Sequence, residues 1–294
     1  MILNKMANMD AWPIALNVHY TNEIVATIKA IAPGFAGINL EDIAAPQCFE
    51  IEEALQDLGI PVMHDDQHGT AIVVYAALLN AAKVLGKDLS TLKVVINGAG
   101  AAGLATARML LDLDQTGNAH VNNLIICDSK GIINQNRSDL NPYKLAILKH
   151  SNHENLSGDL SIALAKADVF IGLSAPGVLT AEMIKSMSPN PIIFALANPI
   201  PEIYPDEAMA AGAAIIGTGR SDFPNQINNA LVFPGIFRAA INNRQTRITP
   251  AMKYAAAHGI AKTITTLSKE AILPTLFSPG LTDNILDEIK KSLS

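Results

Sequence analysis

The chain has 294 residues, 49% hydrophobic and 16% charged, so it carries enough apolar side chain for a large buried core and does not read as disordered. Its formal net charge of −6 argues against a nucleic-acid partner, which would want a basic stripe. Two cysteines, Cys48 and Cys127, exclude a disulfide framework and point to the cytoplasm, and neither a bilayer-spanning run nor a signal-peptide pattern is read in the chain, so no membrane partner is expected.

In chain order, residues 23–31 have helical spacing, ended by Ala32-Pro33-Gly34. The stretch FAGINLEDI (35–43) reads as strand-like, residues 46–58 as a helix ended by Gly59, and residues 60–63 as another short strand. Residues 70–85 form a helix that is apolar on nearly every side, which predicts burial, with Gly86 as its stop. From 91 to 235 strands alternate with helices. KVVIN (93–97), NLIICD (123–128), DVFIGL (168–173), PIIFALAN (191–198) and AAIIGT (213–218) are continuous Val/Ile/Leu runs, and residues 101–113 form a helix after the first of them. Such runs mark a parallel sheet covered on both faces, so the fold class is α/β with a Rossmann-like doubly wound domain. Beyond 236 the chain reads as helical. Thr249-Pro250 is a helix start, and TDNILDEIKKSL is expected to be capped by Thr282 or Asp283.

The first strand runs into Gly98-x-Gly100-x-x-Gly103 at the head of a helix. In that context Gly98 permits a tight turn, Gly100 lets backbone approach a pyrophosphate, and Gly103 lets helix and strand pack closely. Ala101 and Ala102 then offer helix N-terminal amides to the phosphates. Asp128 closes the second strand, a little further on than the usual spacing of about 20 residues, where an acid binds ribose hydroxyls. A carboxylate there favours NAD, while Ser129 and Lys130 leave room for NADP. Asn198, in the loop after a later strand, carries an amide suited to a nicotinamide or a bound acid.

Two acidic pairs stand at ends of short strands: Glu41-Asp42 in NLEDI and Asp65-Asp66 in HDDQHGTA. Like charges so placed are costly unless a cation lies between them, and oxygen ligands suit Mg²⁺ or Mn²⁺. His64 and His68 would share a helix face, as in zinc sites, but Gly69 is expected to break the helix there. Helix capping by Asp65 or Asp66 ahead of Thr70 accounts for one pair and leaves Glu41-Asp42 unexplained.

Taken together, GINLEDIAAPQCFEIE, IPVMHDDQHGTAIVV, VVINGAGAAGLATARMLL, CDSKG, FALANPIPEI and NNALVFPGIFRAA resemble the malic enzymes, in their smaller prokaryotic form, over essentially the whole chain. The resemblance implies oxidative decarboxylation of L-malate to pyruvate and CO₂ with NAD or NADP and Mg²⁺ or Mn²⁺, in a homodimer or higher homo-oligomer. It puts metal ligands on Glu41, Asp42 and Asp66, and an aspartate that orients a catalytic lysine on Asp65. It puts the cofactor turn on Gly98–Gly103, the ribose acid on Asp128, and substrate- and nicotinamide-contacting asparagines on Asn198 and Asn229, with Asn228 beside it. It further implies a malate- and metal-binding part over residues 1–75, an NAD(P)-binding domain over 76–235, and C-terminal helices over 236–294 that pack back on the first part. The family's catalytic tyrosine and lysine lie in Tyr-Thr-Pro-Gly-Val and Gly-Lys-Pro segments that have no counterpart here. Tyr20 and Lys29 stand outside such motifs, so weak malate turnover by this chain alone is expected. A non-catalytic NAD-binding partner subunit and a malolactic reaction are the competing readings. An amino-acid dehydrogenase is disfavoured by the carboxylates.

Overall fold

The computed structural model describes residues 2–293. The chain begins with α1 (Ile2–Ala7), α2 (Thr21–Ile31), β1 (Ile38–Leu40), α3 (Gln47–Leu55), β2 (Val62–His64) and α4 (Asp65–Leu85). It continues through β3 (Lys93–Asn97), α5 (Ala101–Leu110), β4 (Asn123–Asp128), β5 (Gly131–Ile132), α6 (Pro142–Leu148), α7 (Leu160–Leu164) and β6 (Val169–Gly172). Then come α8 (Ala181–Ser186), β7 (Ile192–Ala195), α9 (Pro205–Ala210), β8 (Ile215–Thr218), α10 (Phe233–Asn242), α11 (Pro250–Thr263) and α12 (Leu281–Ser292).

The larger sheet has the order β5-β4-β3-β6-β7-β8, parallel except for the antiparallel β5. Strand order reverses at β3, which pairs with β4 on one side and β6 on the other. That is the switch point of a doubly wound sheet, with a crevice beyond the strands' carboxyl ends. The strands are buried on both faces because helices cover both, so their central side chains are apolar and do not alternate, with polar residues at their ends. One core gathers Val94, Ile96, Ile171 and Phe194 with α4, α5 and the three C-terminal helices. The other gathers Val95, Ile125, Phe170 and Ile193 on the opposite face.

A separate small core (Ile24, Ile28, Leu40, Ile51, Leu55, Val62) holds α2 and α3 against a two-stranded parallel sheet of β1 and β2. α4 is long and apolar enough to cross a membrane by length and composition, yet 67% of its apolar window is buried inside the protein. It is the central helix of the larger core. Gly86 ends it in the left-handed conformation, φ 63°, with its N–H on Ala82 and Lys83 carbonyls.

The structure differs from the sequence reading at several places. α4 starts at Asp65 and runs straight through Gly69, so that glycine does not break the helix. Only residues 38–40 of FAGINLEDI pair as strand. The chain turns at once afterwards, with Asp42 at φ 57°. α3 stops at Leu55, short of Gly59. Thr249 does cap α11, accepting from Met252 N–H, but α12 is preceded by Gly280 at φ 79° with no side-chain cap, and Thr282 and Asp283 lie in its first turn. Residues 264–280 form no helix, whereas residues 2–7 do.

Candidate active site

The acidic cluster follows from strand register. β1 and β2 run parallel with Leu40 opposite His64, so the next residues after each strand, Glu41-Asp42 and Asp65-Asp66, emerge side by side. The Asp42 N–H donates to Asp66 Oδ2 at 3.0 Å, and Asn39 Nδ2 donates to Glu41 Oε1 at 2.9 Å. Glu41 and Asp65 lie close enough for each to act on the other's charge. Burial, and then the charges around them, push both above the usual carboxylate range: Asp66 acts on Glu41, and Glu41 on Asp65. Asp65 is 1% exposed and its Oδ1 has no hydrogen-bond partner. Asp66 is 41% exposed at the side chain, so the cluster opens to solvent.

An orphaned buried carboxylate oxygen beside mutually repelling acids is a charge demand that a hard divalent cation meets, and the donors are all oxygen, as Mg²⁺ or Mn²⁺ prefers. The donor chemistry therefore fits a metal. The ligand set is not closed: among the described residues no three His, Cys, Asp or Glu side chains converge as a ready metal cage, and Asp66 Oδ2 is turned toward the Asp42 amide.

The two histidines part company. His64, fully buried at the N-terminal end of α4, has Asp66 Oδ2 3.8 Å from its Nε2. His68 looks the other way: Nε2 lies 2.8 Å from Glu52 Oε2, and Nδ1 lies 3.0 Å from Lys253 Nζ on α11. Glu52 also accepts from His64 N–H at 3.0 Å and Gln67 Nε2 at 3.3 Å. Burial alone would raise Glu52, but the charge and hydrogen bond of His68, with Lys253 behind it, hold it down at about 2. Sequence reasoning missed Glu52 and Lys253, because a glutamate in FEIEEAL and a lysine in PAMKYA resemble any solvated helix face.

Gly69 faces the cluster. A methyl group on its α-carbon would stand 1.8 Å from Asp65 Oδ1 and 2.9 Å from Asn229 Cβ, so the structure brings Asn229 to the acids. Asn228 beside it caps the short turn Asn229–Leu231, accepting from Ala230 N–H. Asn198 is exposed on the loop after β7, joined to Pro199 by a cis peptide. It stands at the same carboxyl edge of the sheet as the glycine turn.

At that turn Gly98 has φ 125°, and a Cβ there would lie 2.3 Å from Leu173 O, which only glycine permits. A Cβ on Gly103 would lie 1.7 Å from Gly98 O, so helix and strand pack as the motif requires. Nothing lies within 4 Å of the space above Gly100, and the N-terminus of α5, where Ala101 and Ala102 sit, has no side-chain cap. Room and free amide donors together fit a pyrophosphate.

Asp128 is bound in a way the sequence did not suggest. Its Oδ1 accepts from Arg137 Nη1 (2.7 Å) and Lys130 N–H (2.9 Å), and its Oδ2 from Arg137 Nη2 (3.0 Å) and Lys144 Nζ (2.6 Å). Burial is outweighed by these bonds, and the carboxyl is held at about 2.

Residues 67–279 match the family model for the malic enzyme NAD-binding domain, and residues 15–56 match the malic enzyme N-terminal domain. The chain is 47% identical to the bifunctional malic/malolactic enzyme of Bacillus subtilis, over 99% of its own length and 71% of that protein. It is 49% identical to the NAD-dependent malic enzyme of Geobacillus stearothermophilus, spanning 97% of itself and 59% of that relative. The crystal structure of the NAD-dependent malic enzyme of Thermotoga maritima superposes with a TM-score of 0.93 at 46% identity, covering 98% of this chain and 75% of that one. Similarity of this extent, over a fold that sets a glycine phosphate turn and a carboxylate cluster in one chain, is decisive: the chain belongs to the malic enzyme family.

Proposed function

We propose that the chain carries the metal- and dinucleotide-binding machinery for oxidative decarboxylation of L-malate to pyruvate and CO₂ with NAD(P). The observation that carries this reading is the crowding of Glu41, Asp65 and Asp66, which leaves a buried carboxylate oxygen without a partner in a chain that also has a dinucleotide turn. When bound, the divalent cation would draw charge from the hydroxyl and carboxylate oxygens of malate, while the dinucleotide would accept its hydride. Glu41, Asp42 and Asp66 are the residues to hold the cation. Asp65 lies buried beside Glu41, and Asn229 stands near it to orient bound acid. Gly98, Gly100, Ala101, Ala102 and Gly103 receive the pyrophosphate, and Asn198 offers its amide at the nicotinamide edge. On this reading residues 1–75 serve malate and metal, 76–235 the dinucleotide, and 236–294 brace both.

NAD is the cofactor on the strength of Asp128 as a ribose acid. NADP is a second reading with its own support: the oxygens of Asp128 are engaged by Arg137 and Lys144, a cationic surround that a 2′-phosphate would join. A homo-oligomer is part of the proposal, because Trp12, Ile14 and Tyr20 stand exposed ahead of α2 and association would cover them.

The test combines Mn²⁺ titration with an assay of NADH and pyruvate from L-malate. Expected are Mn²⁺ and NADH binding, and slow turnover that EDTA abolishes. Turnover undiminished by EDTA would overturn the proposal.

A further inference from the structure

Glu202 is 0% exposed, and among the described residues no cation pairs with it. An isolated buried carboxylate is expensive, and burial raises its pKa. Its oxygens meet backbone amides instead. Oε1 accepts from Ser174 N–H at 3.2 Å, in the loop after β6, and Oε2 from Ala197 N–H at 3.0 Å, in the loop after β7. Its backbone joins the same loops, accepting from Leu179 N–H, while Pro201 O accepts from Gly177 N–H. Ser174 Oγ in turn accepts from Asn97 Nδ2 at 2.8 Å, and Asn97 is the last residue of β3, immediately before Gly98. One polar chain therefore runs from β3 through β6 to β7 along the carboxyl edge. The fold makes room for it: a Cβ on Gly172 would lie 2.4 Å from Glu202 Cδ.

This chain lies on one side of the switch point. The adenosine half of a dinucleotide belongs toward β4 and Asp128, so the nicotinamide half belongs toward β6 and β7. Ala197 precedes Asn198 directly, so whatever fixes its amide fixes the start of the Asn198 loop.

We propose that Glu202 is a positioning residue for the nicotinamide half of the cofactor, its carboxylate locking the loops after β6 and β7 together so that Asn198 faces the ring. The proposal rests on the dinucleotide reading above. A buried carboxylate suits this task because it accepts from two amides at once with charge-assisted strength.

Glu202→Gln keeps the volume but turns one acceptor into a donor facing an N–H. Gly172→Ala leaves the carboxylate intact and displaces it. NADH affinity is read by fluorescence titration, and ADP-ribose affinity by calorimetry on the same samples. In both variants NADH is expected to bind about tenfold more weakly, while ADP-ribose changes less than about twofold. That split is the signature of local positioning, which a general structural role would not produce. Unchanged NADH affinity in Glu202→Gln would overturn the proposal. So would parallel loss of both ligands, through unfolding or otherwise. A wild-type chain that binds neither would instead remove the dinucleotide reading, and this inference with it.

Discussion

Asp65 and Asn229 meet across the one α-carbon of α4 that bears no side chain, that of Gly69. The helix passes through the glycine undisturbed, and the missing methyl group is the space that Asp65 Oδ1 occupies. Gly69→Ala is therefore expected to act through the site and not through helix propensity, which alanine would improve. The new methyl must displace Asp65 or push Asn229 outward, an overpacking cost of about 1–3 kcal/mol. A lower melting temperature together with weaker Mn²⁺ binding is the expected result. A variant more stable than wild type with unchanged Mn²⁺ affinity would show that Gly69 is there for some other reason.

Asp66 offers a cleaner probe of the carboxylate cluster, because its side chain is 41% exposed and its removal opens no cavity. Asp66→Asn keeps an acceptor for the Asp42 N–H but removes one negative charge. Less charge beside it eases the upward push on Glu41, so the fold should lose at most about 1 kcal/mol. Mn²⁺ affinity should fall at least about tenfold, as for loss of one charged ligand. Equal Mn²⁺ binding by variant and wild type would take Asp66 out of the metal site.

Glu52, His68 and Lys253 link α3, α4 and α11, and the Glu52 carboxylate holds the His64 N–H at the very start of α4. Glu52→Ala strands Lys253 and His68 beside each other without their counter-charge. Removing one partner from a buried charged network costs about 3–5 kcal/mol, discounted here to about 2–4 because Glu52 retains 13% exposure. Denaturant midpoints should show this loss. Lys253→Met, which removes the opposite end of the chain, should cost less in the Glu52→Ala background than in wild type. Additive losses in that double-mutant cycle would mean the three groups are not coupled.

The legibility of this molecule in its sequence is uneven for physical reasons. The glycine turn at 98–103 was readable because its strand, turn and helix are contiguous, so local spacing carries the whole signal. The two acidic pairs were readable as pairs. Their meeting is implied by a shared cation, but the register that produces it is not legible, because β1 and β2 are three residues each and are clamped by the small core. Gly69 reads as a helix breaker from its propensity alone, whereas its role, leaving room for Asp65 Oδ1, depends on a contact that local sequence does not display. Glu202, Glu52, Arg137 and Lys144 escaped because their partners lie in loops or on other elements, and a charged residue gives no sign in sequence of being buried.

Asp128 gives the pH test. Its ordinary value near 3.8 is raised by burial but lowered more by Arg137 and Lys144, to about 2 in the folded chain. A carboxyl depressed on folding adds stability that is complete above its unfolded value and disappears as pH falls through its folded one. The ion pairs should thus contribute in full at neutral pH and be lost between about pH 4 and pH 2. Asp128→Asn should cost about 1–3 kcal/mol at neutral pH. The gap in melting temperature between variant and wild type should close over the same acid window. The substitution also frees Arg137 and Lys144 to meet an anion, so binding should shift from NAD toward NADP. A stability gap that ignores pH, with an unchanged NAD-to-NADP ratio, would mean that Asp128 acts through packing and that its two cations do not face the cofactor.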